Sequence, residues 1–344
     1  MPSWELGGEE NDSIMFLSIV IPVHNSAKHL EKCLVSIYSQ LLPIGDFEVI
    51  CVDDCSTDNS VELINGWIEQ YQGLRLIKHV KNKKAGGSRN TGVKSAEGEY
   101  VLFIDSDDYF HPGSLLYAYQ YQKRHNLDIL MLDSSREPQG RSSLKLVHNF
   151  QNLKIMTGRE FMLANTLPYA PWKYVFKRSL MVDNNIWFVE DVNCEDVDWT
   201  HKLAFYAQTM QYQPVLLTHY VLFPYSETGA EYKNINTIRN RFLCGERVLA
   251  LRGLFTGENE KSLLQNVALG TFYVGVKNMC GSYATPSQKY FILKQIYIPN
   301  CDTSVQGMIN RIAFYTPRIF SIFSTLVAPF VRGLIALKRL YSGR

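Results

Sequence analysis

Residues 101–108 read VLFIDSDD, four apolar residues followed at once by acidic ones. A short apolar run of this kind is typical of a buried strand in a parallel sheet. In open α/β sheets, ligands bind beyond the carboxyl ends of the strands, which is where Asp105 and Asp107 stand. Mg²⁺ and Mn²⁺ commonly bind one or two carboxylates together with substrate phosphates. We therefore predict a metal-diphosphate site here; a solvated acidic turn or a helix N-cap is the alternative.

Two further predicted strands also end in polar residues. Residues 17–23 (LSIVIPV) run into a turn that contains Asn25, and residues 47–52 (FEVICV) run into Asp53 and Asp54. A stretch with helical spacing follows each strand, and this alternation predicts a parallel sheet. Because the carboxyl ends of parallel strands meet at one edge, three strand ends deliver polar groups to the same place.

A basic, glycine-rich segment lies between the second and third strand ends. Residues 82–92 read NKKAGGSRNTG and include the cations Lys83 and Arg89. Adjacent glycines permit close approach to the backbone, and positive charge suits a phosphate. We predict that this segment lies over a diphosphate, with an ordinary surface loop as the alternative.

With these motifs the chain resembles the family 2 glycosyltransferases. Four motifs carry the resemblance, in order along the chain: SIVIPVHN (18–25), VDDCSTD (52–58), SRNTG (88–92) and GEYVLFIDSDD (98–108). It continues more weakly through PWKYVFKR (171–178) and EDVDW (195–199), and covers about residues 17–229. The resemblance implies an α/β fold of the GT-A type. This is a Rossmann-like sandwich around a mostly parallel sheet, here followed by a C-terminal helical appendage.

The same resemblance implies roles for individual residues. Asp105 and Asp107 would hold Mn²⁺ or Mg²⁺, and Asp196 would be the general base. Glu195 is the competing base, and Asp198 is a third candidate. Trp172 is expected near the acceptor or the donor sugar. The residues expected to contact the nucleotide sugar, a UDP-sugar by family expectation, are Pro22, Val23, Asn25, Asp53, Asp54, Lys83, Arg89, Asp105, Ser106 and Trp172.

The implied reaction moves one sugar from a nucleotide-diphosphate sugar to an acceptor hydroxyl, with inversion at the anomeric carbon. The sequence has no Gln-x-x-Arg-Trp element of processive synthases, which favours single-sugar addition. We expect a glycan or lipid-linked acceptor in cell-surface polysaccharide or lipid-linked glycan synthesis. A catalytically inactive nucleotide-sugar-binding protein is the alternative. A dehydrogenase is disfavoured because no Gly-x-Gly-x-x-Gly follows the first strand.

Composition limits the partners and the compartment. The 344-residue chain has a formal net charge of +2, so we expect no nucleic-acid partner. Its seven cysteines are odd in number and include no Cys-x-x-Cys pair, which favours a reducing cytoplasm over a disulfide framework or a zinc site.

The chain divides by pattern into several predicted parts. They are a disordered lead-in (1–15), a transferase domain (16–230) with a nucleotide half (16–132) and an acceptor half (150–230), an exposed connection (133–149), a helical subdomain (231–305) and a basic, apolar C-terminal helix (306–344). Residues 319–331 carry no charge, and no acid follows Asp302. This run is shorter than the roughly 20 residues of a membrane span. We predict peripheral contact with the inner face of the cytoplasmic membrane. A helix docked on the core and a true span are the alternatives.

Overall fold

The structure is a computed structural model that describes residues 15–138, 153–222, 235–295, 318–319, 321–326 and 329. The described strands form one eight-stranded sheet. They are β1 (Leu17–Val23), β2 (Phe47–Asp53), β3 (Leu74–Lys78), β4 (Tyr100–Phe103), β5 (Tyr109–Phe110), β6 (Ile129–Pro138), β7 (Tyr174–Lys177) and β8 (Met210–Leu222).

Helices cover both faces of this sheet. The α-helices are α1 (Ala27–Tyr38), α2 (Ser60–Ile68), α3 (Lys84–Ser95), α4 (Ser114–His125), α5 (Gly158–Ala164), α6 (Arg178–Asp183), α7 (Asp196–Tyr206), α8 (Ile235–Ala250), α9 (Glu258–Gly281) and α10 (Pro286–Gln295). Short 3₁₀ helices span Pro171–Lys173 and Leu251–Leu254.

The strand order is β3-β2-β1-β4-β7-β6-β8-β5. Strands β1 to β4 pair in parallel, as do β6 and β8, whereas β7 runs antiparallel to both of its neighbours. The predicted α/β fold with a central, mostly parallel sheet and C-terminal helices is confirmed. Because β1, β2 and β4 are parallel and adjacent, their carboxyl ends meet at one edge, as the sequence predicted.

Apolar side chains of the central strands point alternately to the two faces of the sheet, and each face has its own apolar core. In β1, Ile19 and Ile21 belong to the core that includes Leu34 of α1, whereas Val20 belongs to the core that includes Trp199 of α7. Successive side chains of a strand point to opposite faces, so a strand buried on both sides is apolar throughout. The central strands are therefore held rigidly, and so are the turns that follow them.

The predicted exposed connection at residues 133–149 is wrong over its first part. Strand β6 continues to Pro138, and Asp133 is wholly buried. Asp133 accepts hydrogen bonds from the Lys173 ammonium and the Tyr212 hydroxyl, which compensate its burial. Serine and arginine in this stretch indicated a loop, but strand pairing with β8 overrides that local preference. Residues 139–149 lie outside the described part of the chain.

The C-terminal helices share the core of the transferase fold. Phe242 of α8 and Phe272 of α9 lie in the same apolar cluster as Trp199. The boundaries drawn from the sequence at residues 230 and 305 stay predictions. The lead-in up to residue 14 and most of residues 306–344 are not described. Among the described helices, none is both long and apolar enough to cross a membrane.

Candidate active site

The turns after β1 and β2 are held to each other by side-chain hydrogen bonds. Asn25 is exposed, and its backbone lies in the left-handed region with φ of 52°. Its side-chain Oδ1 accepts a hydrogen bond from the Thr57 backbone N–H at 2.8 Å. Asp53 is buried and accepts the Ser56 backbone N–H at 3.2 Å. Pro22 and Val23 pair with the last residues of β2. The predicted nucleotide-contacting residues of these two strands therefore lie together at the sheet edge.

Asp54 connects this edge to the start of α3. Its buried Oδ1 accepts the Lys83 backbone N–H at 2.8 Å and lies 2.8 Å from the His79 ring. The Lys83 ammonium lies 3.3 Å from Glu190. A carboxylate that accepts a backbone N–H just before a helix fixes where that helix begins. Asp54 therefore sets the position of the basic segment.

The glycine-rich segment is a helix, and its glycines pack against the protein. A Cβ on Gly86 would lie 2.9 Å from the Val189 carbonyl oxygen, and one on Gly87 would lie 2.4 Å from the Lys83 side chain. The surface-loop alternative is therefore wrong. The absence of a side chain at these glycines makes room for Val189 and Lys83 of this chain.

Arg89 of α3 joins two carboxylates from distant parts of the sequence. One guanidinium nitrogen donates to Asp105 at 2.7 Å and the other to Glu195 at 2.8 Å. The side chain is only 4% exposed. Burial acts to lower the pKa of Arg89, but Asp105 and Glu195 outweigh burial and raise this pKa. Arg89 is therefore a fixed positive charge between the acidic motif and the start of α7.

The acidic motif after β4 is a turn that is tied to the rest of the fold, and it does not cap a helix. Residues 105–108 lead into β5, and Asp108 is 1% exposed. Asp108 accepts the Val221 backbone N–H at 2.8 Å, which ties the motif to β8. Ser106 is also buried, and its hydroxyl lies 2.6 Å from that of Ser26. The helix N-cap alternative is therefore wrong, whereas Asp105 and Asp107 are partly exposed and their role as a binding site stays a prediction.

Asp107 lies beside Asp105 in the lining of the cleft and is partly exposed. Burial and the nearby charge of Asp105 raise the pKa of Asp107 to about 6. Within the described residues, no three His, Cys, Asp or Glu side chains are grouped to hold a metal. Two carboxylates on one cleft still fit Mg²⁺ or Mn²⁺, since these ions complete their shells with water and substrate phosphates.

Asp196 is the first residue of α7 and faces the same cleft. Burial and the adjacent Glu195 raise the pKa of Asp196 to about 7, although Arg89 acts in the opposite direction. A carboxylate with a pKa near neutrality is well matched to general-base work. Glu195 differs because its carboxylate is bound to Arg89.

Asp198 does not belong to the cleft, so the third candidate base is wrong. It is wholly buried, and its two oxygens are bound by Arg247 at 2.9 Å and Lys202 at 3.2 Å. In a helix, a residue two positions after Asp196 points to a different face. Arg247 also donates to the Cys194 carbonyl oxygen at 3.0 Å. Helix α8 therefore braces the turn that carries Glu195 and Asp196.

The cleft has a volume of about 510 Å³. Its lining residues are Arg89, Asp105, Asp107, Tyr169, Pro171, Trp172, Asn193, Cys194, Glu195, Asp196, Val197, Tyr220, Val221 and Arg241. Pro22, Val23, Asn25, Asp53, Asp54, Lys83 and Ser106 are not among these lining residues and lie at the adjoining sheet edge.

Aromatic rings form one wall of the cleft. The Trp172 and Tyr220 rings stack, with centroids 5.4 Å apart and planes at 17°. The Trp187 indole N–H donates to Asn185, and Trp187 is not among the described residues that line the cleft. Arg241 of α8 does line the cleft, and sequence reasoning missed it. It lies beyond the recognisable motifs, and no local pattern marks it.

Comparison with known proteins gives a family match for the part of the chain that carries Arg89, Asp105 and Asp107. Residues 18–182 match the model described as glycosyl transferase family 2. A poly(ribitol-phosphate) β-glucosyltransferase of Bacillus spizizenii is 42% identical over 118 residues, which are 34% of this chain and 19% of that protein. The uncharacterized Escherichia coli glycosyltransferase YibD is 28% identical over 213 residues, 60% of this chain and 61% of that protein.

A third relative is the Staphylococcus aureus poly(ribitol-phosphate) β-N-acetylglucosaminyltransferase TarS. It is 32% identical over 197 residues, which are 55% of this chain and 32% of TarS. The matched segments thus span less than two thirds of each of these three relatives.

Solved structures give the fold. A crystal structure of S. aureus TarS 1–349 in complex with UDP-GlcNAc superposes with a TM-score of 0.64 and 20% identity, covering 93% of this chain and 92% of that one. The Pyrobaculum calidifontis mannosyltransferase PcManGT, in complex with GDP-Man and Mn²⁺, gives 0.54 at 17% identity, covering 95% and 88%. The chain therefore matches the glycosyl transferase family 2 model over residues 18–182, just under half of its length, and has a fold of the GT-A type.

Proposed function

We propose that this protein transfers a single sugar from a UDP-sugar to a hydroxyl of a phosphate-bearing polyol polymer, with inversion at the anomeric carbon. The observation that carries the proposal is the convergence of Asp105, Asp107 and Asp196 on one cleft. Two of the relatives are named as glycosyltransferases of poly(ribitol-phosphate), which supports the acceptor class and a role in cell-surface polymer synthesis.

Asp196 is the general base in this proposal. It removes the proton from the acceptor hydroxyl as that oxygen attacks the anomeric carbon from the face opposite the leaving diphosphate. Its raised pKa supports this role, since the carboxylate binds a proton readily near neutral pH. Glu195 holds Arg89 in place through a hydrogen bond that occupies one of its carboxylate oxygens.

Asp105 and Asp107 are the metal ligands in this proposal. A bound Mn²⁺ or Mg²⁺ would neutralise charge on the departing diphosphate. Arg89 orients Asp105 through one hydrogen bond and leaves its second oxygen outside that bond. Asp107 lines the same cleft as Asp105, and burial together with the nearby charge of Asp105 raises its pKa to about 6.

The nucleotide lies at the adjoining sheet edge in this proposal. Residues 16–132 form the nucleotide half, and Asn25 presents an exposed amide there. Pro22, Val23, Asp53 and Asp54 shape the turns beside it, with Ser106 and Lys83 close by. Residues 150–230 form the acceptor half with Trp172, and residues 231–305 contribute Arg241 to the cleft.

We also propose peripheral contact with the inner face of the cytoplasmic membrane. The support lies in residues 318–319 and 321–326, where the apolar side chains of Ile319, Ile322, Phe323 and Leu326 are exposed while Ser321 and Ser324 are buried. An apolar face turned away from the protein suits a lipid interface, and the basic residues that follow in the sequence suit anionic lipid.

The test is a screen of purified protein with Mn²⁺ against a panel of nucleotide sugars, reading released nucleotide with and without a ribitol-phosphate oligomer. Acceptor-stimulated release of UDP from one donor is the expected result. Release from no donor, while UDP still binds, would favour the catalytically inactive nucleotide-sugar-binding alternative.

A further inference from the structure

A second cavity adjoins the catalytic cleft. It has a volume of about 260 Å³ and shares three aromatic residues with the cleft, namely Tyr169, Trp172 and Tyr220. The stacked rings of Trp172 and Tyr220 therefore form a wall common to both spaces. A ligand longer than one unit can lie across this wall with one part in each cavity.

The two cavities carry opposite charge. Four carboxylates and two guanidinium groups line the catalytic cleft. The described lining of the second cavity has two cations, Arg136 and Lys173, and no carboxylate. Lys173 is neutralised by its buried ion pair with Asp133. The positive charge of Arg136 remains, and it acts to lower the pKa of Lys173, which burial lowers first.

Two donors in this region lack partners. Arg136 is exposed, and no hydrogen bond or ion pair joins its guanidinium to another described residue. The Trp172 indole Nε1 is buried, and it finds no acceptor among the described residues. An indole N–H can only donate, and a buried donor without an acceptor is costly, so an oxygen from a ligand would satisfy it.

The position of the cavity favours the acceptor over the donor. Its described lining comes from β6, β8 and the segment 168–173. The nucleotide-contacting candidates follow β1 and β2, which lie on the other side of β4 in the sheet. A donor sugar beside Asp105 and Asp107 occupies the cleft between these two regions. The space beyond it belongs to the second substrate.

We infer that the second cavity is an acceptor subsite that takes the phosphate of the unit next to the glycosylated one, with Arg136 as its charged contact and Trp172 as a donor to the same ligand. The carboxylates of the cleft repel an acceptor phosphate, whereas the positive charge of the second cavity attracts it. The inference rests on the proposed transfer function and adds the place at which the acceptor phosphate binds.

The experiment measures binding of a synthetic ribitol-phosphate trimer, separately from turnover, to wild type, R136Q, R136K and the control R124Q. Arg124 is an exposed arginine of α4 that lines neither cavity, and its loss changes the net charge by the same amount. A charge-assisted hydrogen bond is worth roughly 1.5–3 kcal/mol. R136Q should therefore weaken trimer binding at least about tenfold, R136K less, and R124Q not at all. Uncharged ribitol should be insensitive to all three.

Transfer kinetics supply the second readout. R136Q should raise the KM for the trimer with no change in the KM for the UDP-sugar, and W172F should raise the trimer KM more modestly. A raised donor KM with an unchanged trimer KM would overturn the inference by assigning the cavity to the donor sugar. Equal effects of R136Q and R124Q, or a wild type that does not bind the trimer, would also overturn it. Failure of the proposed function is read separately, as absence of nucleotide release from every donor.

Discussion

Arg89 and Glu195 are 106 residues apart in sequence, and their side chains are joined by a 2.8 Å hydrogen bond inside the protein. The other nitrogen of the same guanidinium binds Asp105 at 2.7 Å. One buried cation therefore spans the cleft between the strand-end motif and the start of α7. The relative position of the candidate metal ligands and the candidate base depends on this bridge.

Replacing Arg89 with lysine should damage both stability and activity. A lysine ammonium lacks the planar fork that binds two carboxylates in fixed directions. Breaking a buried ion pair by removing one partner typically costs about 3–5 kcal/mol, and R89K should lose a substantial part of that. We expect a clearly lower melting temperature and at least about a tenfold loss of kcat. R124K, at an exposed arginine, is the control and should match wild type. An R89K variant with unchanged kcat would show that the bridge is dispensable.

Asp196→Asn should remove transfer and leave donor binding intact. General-base catalysis contributes about 10²–10⁴-fold, so a loss of kcat in that range is expected. In the wild type, kcat should rise with pH through about 7, because the base must lose its proton and its pKa is raised to about 7. The measurements are UDP-sugar affinity by calorimetry and transfer rate from pH 5 to pH 9. If D196N stays active while E195Q does not, the base is Glu195.

Asp107 and Asp108 should respond differently to the same change, although they are adjacent. Asp107→Asn should abolish the Mn²⁺-dependent part of nucleotide-sugar affinity with little change in melting temperature. Asp108→Asn should lower the melting temperature instead, because this buried carboxylate holds the Val221 backbone N–H of β8. Titration of UDP with and without Mn²⁺, together with thermal melts, separates the two. Nucleotide affinity of D107N that still depends on Mn²⁺ would contradict the metal assignment.

Arg247→Ala should reduce kcat more than it changes the KM of either substrate. Arg247 binds both Asp198 and the Cys194 carbonyl, so its loss frees the turn that carries Glu195 and Asp196. Without this brace the base occupies its productive position less often, whereas the substrate-contacting residues remain. R239A removes an exposed arginine from the same helix and is the matched control. R247K should recover part of the rate. A merely structural role would instead lower the melting temperature with the kcat of folded enzyme unchanged.

Local pattern was sufficient for the central sheet and for the candidate site as a set of residues. Strands β1, β2 and β4 are short apolar runs that end in polar turns, so their buried position and common edge follow from periodicity. The acidic motif and Asp196 were likewise recognisable from the sequence. What local pattern could not supply was the partner of each charge. The sequence predicts Asp133 in a loop, whereas in the structure it forms a buried ion pair with Lys173, 40 residues away.

Residue spacing alone specifies the central sheet, the edge at which polar groups gather, and the family that the motifs resemble, because these depend on residues that are near neighbours in sequence. The chemical environment of each acid near the cleft depends instead on the folded chain. In the folded chain Glu195 is hydrogen-bonded to Arg89, and Asp198 is paired with Arg247 outside the cleft. Arg241 of α8 lines the cleft. The physical reason is that the ionisation and reach of a carboxylate depend on burial and on nearby charges. Those charges come from residues that are distant along the chain and close only when it is folded.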